Sequence, residues 1–446
     1  MKKILLSSVL LVLCFVFETK ANNMLVQNVT TTGNNTANKT ILVQFDMSWE
    51  NSWRDSINWD AAWVFIKFKD ASGNWQHAKL NTTGFTNGTG TANTLQVTSD
   101  QIGAWVYRSA LGIGNFSSTG MQLQWNYGLS GLTDITGLEV RVFAVEMVYV
   151  PEGEFNCAGA NLNTSNNASF FINDTTNNNR YGKFYAPGNN HPAINQRLSP
   201  SLIYYDGTSS TIRIKGDAGI DIDNNGTIDN TTYPIGYKAF YCYKYELTEQ
   251  QYADFLNTLT SSQKTTLGVA GTGITLTNGQ YFSSTPNKAC NNGTATRLLA
   301  YADWSGIRPM TFLEFNKASY GPLQPVYSNN YPIDGYPSWG KPFKPNNFSS
   351  TASNTGYLAT SNSNRETAGA SYYGILELTG STFEPLVKLN FFNFTTNNGN
   401  GILTTTGNTD VGNWSSNGMI FFVDQQSQTQ NFYINNRGFR YVRSAE

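Results

Sequence analysis

The sequence predicts an α+β protein dominated by strands. An N-terminal antiparallel β-sandwich over residues 22–146 is followed by a unit over residues 147–446 with few helices and long loops. Three observations predict it. Apolar residues alternate with period two through much of the first third of the chain. Helical period is confined to two short segments. Clusters of Gly, Asn, Thr and Ser separate the periodic runs at the close spacing of a sandwich.

The elements follow in order. Met1-Lys2-Lys3, an apolar run from Ile4 to Phe17, and the polar stretch Glu18-Thr19-Lys20-Ala21 describe a cleavable export signal over residues 1–21, with Thr19 and Ala21 three and one residues before the cut. The run is shorter than the roughly 20 residues a bilayer requires, and no later stretch is apolar enough to span one. Cys14 does not fit a lipid-anchored leader, because Leu13 stands where a small residue is needed. Ile41 to Trp49 alternates like a half-buried strand, whereas Trp63 to Phe68 is apolar throughout and reads as a strand buried on both faces. Ala71-Ser72-Gly73-Asn74 turns the chain into Trp75-Gln76-His77. Leu95–Val97, Met121–Trp125 and Leu138–Val145 complete the strand set. Trp49, Trp53, Trp59, Trp63 and Trp75 read mainly as core, and an exposed pair among them would point to sugar stacking.

No spacer marks the boundary at Glu146. Val140 to Val150 alternates without interruption until Pro151, so the two parts are expected to be held rigidly. Residues 157–235 carry no clear period and read as loop decoration or a functional insertion. Thr248 with Gln251 forms a capping box ahead of Tyr252, Phe255 and Leu256, which share one helical face. Thr311 with Glu314 repeats that signature for a helix through Ala318.

Charged residues make up 13% of the chain and the net charge is −1, which excludes an electrostatic footprint for nucleic acid or anionic lipid. Aromatics at 14% supply core material among polar loops. Removing the signal leaves Cys157, Cys242 and Cys290, an odd count that excludes a disulfide-built scaffold. Asn-x-Ser/Thr triplets such as Asn81-Thr82-Thr83 are expected from an Asn-rich composition, the alternative being glycan acceptors in a eukaryotic chain.

Five ordered segments carry a resemblance. They are Met147–Phe155 (MVYVPEGEF), Phe240–Thr248 with Gln251-Tyr252 (FYCYKYELT), Arg308–Phe315 (RPMTFLEF), Tyr373–Glu384 (YGILELTGSTFE) and Gly438-Phe439-Arg440. In this order the chain resembles the formylglycine-generating-enzyme, or sulfatase-modifying-factor, family, as an exported bacterial type. The resemblance spans about 300 residues and implies a C-type-lectin-like fold. It singles out Glu246, Arg308, Thr311, Glu314, Gly374, Gly380, Glu384, Gly438 and Arg440 as fold-keeping residues. Gly374 and Gly380 suit turns with positive φ, Phe383 suits core, and Glu384 and Arg440 suit either pairing with each other or hydrogen bonds to loop backbone.

The family's oxidising members resemble copper enzymes whose two cysteines near the C-terminus hold metal and substrate, thiolate being the donor Cu(I) prefers. Here the last cysteine is Cys290, and Met419–Asp424 occupies the interval where an R-G-G-S-W block is expected. Relatives resembling mononuclear iron enzymes need several histidines, and only His77 and His191 exist. No G-x-S-x-G elbow accompanies a serine, and no Gly-rich phosphate loop precedes a helix. Cys242 and Cys290 are a candidate disulfide, two buried thiols being the alternative. Asp221, Asp223, Asn225 and Asp229 stand at the oxygen-ligand positions of a calcium loop, with Gly226 at the turn and Thr232 in place of the closing carboxylate. The alternative there is an Asx turn. Ser371 replaces the Asn that usually precedes the Gly374 block, so the family's own calcium site is not carried over.

The expected function is therefore a non-catalytic secreted or cell-surface protein, with structural calcium as the one candidate cofactor. It would bind an unknown glycan or protein ligand through loops between Asn161 and Tyr237 and after Phe392. A copper-dependent oxidase of the same family is the competing expectation. A part of an envelope or surface assembly is a third.

Overall fold

The computed structural model describes residues 23–153, 155–157, 172–174, 179–184, 232–322, 327–328, 331–332, 354–360, 363–365, 367–378, 381–382, 384–387, 393–416, 419–421 and 437–446. The first nine strands are β1 (Leu25–Asn35), β2 (Thr40–Arg54), β3 (Asp60–Lys69), β4 (Trp75–His77), β5 (Thr89–Gly90), β6 (Asn93–Val97), β7 (Ala104–Arg108), β8 (Gly112–Asn126) and β9 (Glu139–Val150). Then follow β10 (Phe155–Cys157), β11 (Ile172–Asp174), β12 (Asn179–Phe184) and β13 (Phe240–Tyr243). Helices α1 (Glu249–Leu256) and α2 (Ser261–Leu267) lead to a hairpin of β14 (Ile274–Thr277) and β15 (Gln280–Ser283). After α3 (Ala295–Trp304), β16 (Arg308–Pro309) and α4 (Phe312–Tyr320) come β17 (Tyr327–Ser328), β18 (Tyr331–Pro332), β19 (Pro385–Val387), β20 (Met419–Phe421) and β21 (Tyr441–Ser444). The described chain is mainly β with four helices, in keeping with an α+β class.

Two antiparallel sheets organise it. One has the order β1-β2-β8-β5; the other runs β16-β21-β13-β9-β3-β7-β6, with β4 on β3. Val43, Phe45, Met47 and Trp49 of β2 share one core with Ala62, Val64, Ile66 and Phe68 of β3, compatible with the expected sandwich. The opposite face of β3, with Ala61, Trp63 and Phe65, packs with Tyr252, Phe255, Leu298 and Trp304 from the helices. All but the last residue of β3 is buried, as its unbroken apolar run predicts.

The position expected to separate two parts lies inside a strand. β9 pairs along β3 from Lys69↔Glu139 to Asp60↔Val148 and on its other edge along β13 from Tyr243↔Met147 to Phe240↔Val150. Strands from both sides of Glu146 thus form one hydrogen-bonded sheet.

Capping boxes at Thr248/Gln251 and Thr311/Glu314 start α1 and α4 where the sequence places them. Each N-cap contributes about 1 kcal/mol. Two helices were not foreseen. Thr260 and Gln263 form a third capping box on α2, a legible signal ahead of a polar segment. In α3 every residue from Leu298 to Trp304 is buried, so no apolar stripe distinguishes it from a strand.

Candidate functional site

Arg440 lies at the centre of the motif residues. It follows Gly438 and Phe439 at the entry to β21 and is fully buried. Its Nε donates to Glu384 Oε1 at 3.0 Å, Nη1 to Tyr243 O at 3.0 Å, and Nη2 to Leu376 O at 2.9 Å and Glu377 O at 3.0 Å. One guanidinium thereby ties the β13 segment, the 373–384 segment and β21 together. Glu246 Oε1 accepts from the Thr382 backbone N–H at 2.9 Å and from the Thr382 hydroxyl. A Cβ on Gly438 would collide with that hydroxyl, which explains glycine there. Burial pushes Glu384 up to about 8 against the pull of Arg440. It pushes Glu377 up to about 8 as well, helped by neighbouring Glu246, and raises Glu246 in turn. With carboxyls held this close to their protonated forms, the hub has the character of a sealed structural clamp.

Arg308, Thr311 and Glu314 form a separate unit. Arg308 Nη1 and Nη2 donate to Glu314 Oε2 and Oε1 at 2.8 and 2.5 Å, a bidentate pair, and Glu314 Oε2 accepts from the Thr311 N–H at 3.0 Å. Gly374 adopts φ +90°, and Trp53 lies where its Cβ would stand. Ser371 closes the same turn, its Oγ accepting from Ile375 N at 3.2 Å.

An exposed polar loop is the candidate binding element. Residues 399–413 present Ile402, Thr405, Thr406, Asn408, Asp410 and Asn413 to solvent. From beneath, Asp303 on α3 accepts from Asn400 N at 3.0 Å, Thr409 Oγ1 at 2.7 Å and Asp410 N at 3.0 Å. Lys67 Nζ on β3 donates to Gly401 O at 2.8 Å and sits 5.0 Å from the Trp304 ring centre. Within the loop, Thr404 N donates to Asn408 O at 2.9 Å and Asn400 Nδ2 to Asp410 Oδ1 at 2.8 Å. Burial raises Asp303 to about 6 and drives Lys67 well below its ordinary value. His77 beside them is held well below its ordinary value by burial and by Lys67, with Nε2 2.6 Å from Ile102 O. The result is a fixed, amide- and hydroxyl-rich surface on a rigid base.

Comparison with protein-family models, curated proteins and solved structures yields no match.

The candidate Cys242–Cys290 disulfide is not formed; both are buried free thiols. The cause is strand geometry. Phe240 and Cys242 point to the core with Val148 and Met310, while Tyr241 and Tyr243 face the core that contains Cys290. The two sulfurs lie on opposite faces of β13. Burial pushes Cys242 up to about 12 and Cys290 well above its ordinary value. Asp221, Asp223, Asn225, Asp229, His191, Gly380 and Phe383 lie outside the described residues, as does most of the expected 161–237 ligand surface. Among the described residues no group of three or more His, Cys, Asp or Glu side chains is arranged to hold a metal, and no helix is long and apolar enough to cross a membrane. Of the five tryptophans, Trp49 and Trp63 are core. The three half-buried ones are each covered by a guanidinium: Arg365 over Trp53 at 4.2 Å, Arg54 over Trp59 at 4.4 Å and Arg141 over Trp75 at 4.5 Å.

Sequence reasoning missed a second buried cluster. Asp60, Glu146 and Lys244 are 0%, 5% and 3% exposed, and Lys244 Nζ lies 2.5 Å from Glu146 Oε1 and 3.4 Å from Asp60 Oδ2. It also missed Lys67 and Asp303. The available signal was a charge inside an otherwise apolar run, as in DAAWVFIKF, VFAVEMVYV and FYCYKYEL.

Proposed function

We propose that this chain is an exported, non-catalytic binding protein built on a formylglycine-generating-enzyme-like, lectin-type fold. The observation that carries the reading is the 399–413 loop, whose Thr, Asn and Asp side chains face solvent while Asp303 and Lys67 fix its backbone from below. A pre-ordered polar loop loses little conformational entropy on binding, which favours recognition of a hydroxyl-rich ligand such as a glycan. The family resemblance is supported by the way Arg440 joins three of the five motif segments through fold-keeping contacts. Non-catalytic action is supported by Cys242 and Cys290, which are sealed on opposite sheet faces and held as thiols, whereas a copper-thiolate centre needs deprotonated sulfur.

The test is a glycan and peptide array with the purified mature chain, run with calcium and with chelator, beside a variant carrying Asn408→Ala and Asp410→Ala. Selective binding that the double variant loses supports the proposal. Copper-dependent oxidation of a cysteine peptide by the wild-type chain would replace it with the oxidase reading.

A further inference from the structure

The buried cluster at the centre of the shared sheet has the composition and placement of a self-cross-linking site. Three adjacent strands build it. Lys244 immediately follows β13, and its backbone N–H donates to Glu146 O on β9 at 3.1 Å. On the far edge of β9, Glu146 pairs with Ala62 of β3, which brings Asp60 of the same strand into the cluster. An amine and a carboxyl 184 positions apart in the chain thus flank a second carboxyl inside the protein.

The Asp60 carboxyl is held more tightly than an ordinary ion-pair partner. Oδ1 accepts from Ser52 Oγ at 3.0 Å and from Trp53 N at 3.0 Å. Oδ2 accepts from Trp49 Nε1 at 3.1 Å and from Lys244 Nζ at 3.4 Å. The two fixed donors on Oδ1 occupy the place where negative charge would grow if a nucleophile added to Cγ, and Oδ2 faces the amine. The Lys244 nitrogen lies 3.4 Å from Oδ2 of the carboxyl group whose carbon it has to reach.

We propose that Lys244 and Asp60 become joined by an intramolecular amide bond between Lys244 Nζ and Asp60 Cγ, with Glu146 as the proton carrier. Glu146 starts as the acid and passes its proton to Asp60, then takes one from the Lys244 ammonium. The freed amine adds to Cγ, and the oxyanion on Oδ1 is held by Ser52 and Trp53. Glu146 then passes its proton to the Oδ2 hydroxyl and takes one from the added nitrogen, the C–Oδ2 bond breaks, and that oxygen leaves as water. Ammonium and carboxylate together lose one water, Glu146 ends protonated as it began, and no oxidant or activating group is consumed. Burial lifts Glu146 to about 8, with Lys244 opposing and Asp60 adding to the rise, so the proton the carrier needs is present at neutral pH. Burial disfavours the Lys244 cation while Glu146, Tyr245 and Asp60 favour it. The neutral amine is therefore a minor species. One turnover per molecule after folding suffices, and exclusion of water from the cluster protects the product.

The experiment is the intact mass of the purified, folded mature chain after denaturation, followed by peptide mapping. The expected result is a mass one water below the sequence value and a branched peptide joining Lys244 to Asp60. Lys244→Arg and Glu146→Gln are expected to restore the full mass and to remove the fast-migrating form in denaturing gels. A wild-type chain at its full sequence mass, with a native circular dichroism spectrum, overturns the proposal, as does a branch from Lys244 to Glu146. The wild-type measurement decides even if neither variant folds. Neither result depends on whether the 399–413 loop binds a ligand.

Discussion

Replacing Arg440 with Met tests the hub directly. The change keeps an unbranched chain of similar length but deletes the buried cation that serves Glu384 and the carbonyls of Tyr243, Leu376 and Glu377. Breaking one side of a buried ion pair costs about 3–5 kcal/mol. Each carbonyl left without a donor adds about 1 kcal/mol or more. Against this, Glu384 already lies near about 8 and takes up a proton readily once Arg440 is gone, which relieves its charge. The expected loss is about 5 kcal/mol, comparable with the whole stability of many domains. Urea unfolding followed by fluorescence of the ten tryptophans, with far-ultraviolet dichroism as a second probe, measures it. Adding Glu384→Gln to Arg440→Met removes the stranded carboxyl and is expected to recover roughly 1–3 kcal/mol, leaving the carbonyl cost in place. A loss below about 1 kcal/mol for the single variant, under conditions where the wild type unfolds cooperatively, would refute the assignment of Arg440 as the tie among these segments.

Other outcomes follow from the same contacts. Gly438→Ala drives a methyl group onto the Thr382 hydroxyl that clamps Glu246, and is expected to cost about 1–3 kcal/mol in urea unfolding. Asp303→Ala removes the acceptor for Asn400 N and Asp410 N, so those two amides should lose hydrogen-exchange protection while the β3 and β9 amides keep theirs. Cys242, held at about 12 by burial, and Cys290, held well above its ordinary value, should resist a thiol reagent at about pH 8 in the native state and react after denaturation. Glu146, Glu377 and Glu384 are each raised to about 8. A carboxyl with a raised folded-state value contributes stability that is fully present below its unfolded value near about 4.5 and is lost as pH rises through about 8. The urea midpoint is therefore expected to fall between about pH 4.5 and pH 8, and Glu377→Gln should flatten that fall. A midpoint that rises across this range would contradict the direction.

Some of this was legible in the chain and some was not, for reasons visible in particular residues. Alternation marked β2, and the unbroken apolar run marked β3 as buried on both faces, because a strand's side chains declare their faces every second residue. Thr248 and Thr311 announced α1 and α4 because a capping box is a local contact. The pairing of Glu384 with Arg440, one of two expected arrangements, is present at 3.0 Å. Helix α3 was missed because it is buried all round from Leu298 to Trp304, and the Cys242–Cys290 bridge failed because two nearby blocks can still face opposite sides of one sheet.

What the sequence determined alone is therefore the content of its segments: which runs are strands, where two helices begin, and which charges interrupt apolar runs. What only the tertiary structure decided is partnership. Asp60, Glu146 and Lys244 meet because β3, β9 and β13 lie side by side, and Asp303 and Lys67 meet the 399–413 loop because α3 packs on the far face of β3. Periodicity is written by neighbours a few residues apart, whereas sheet order is set by which apolar faces can be buried together across the whole chain.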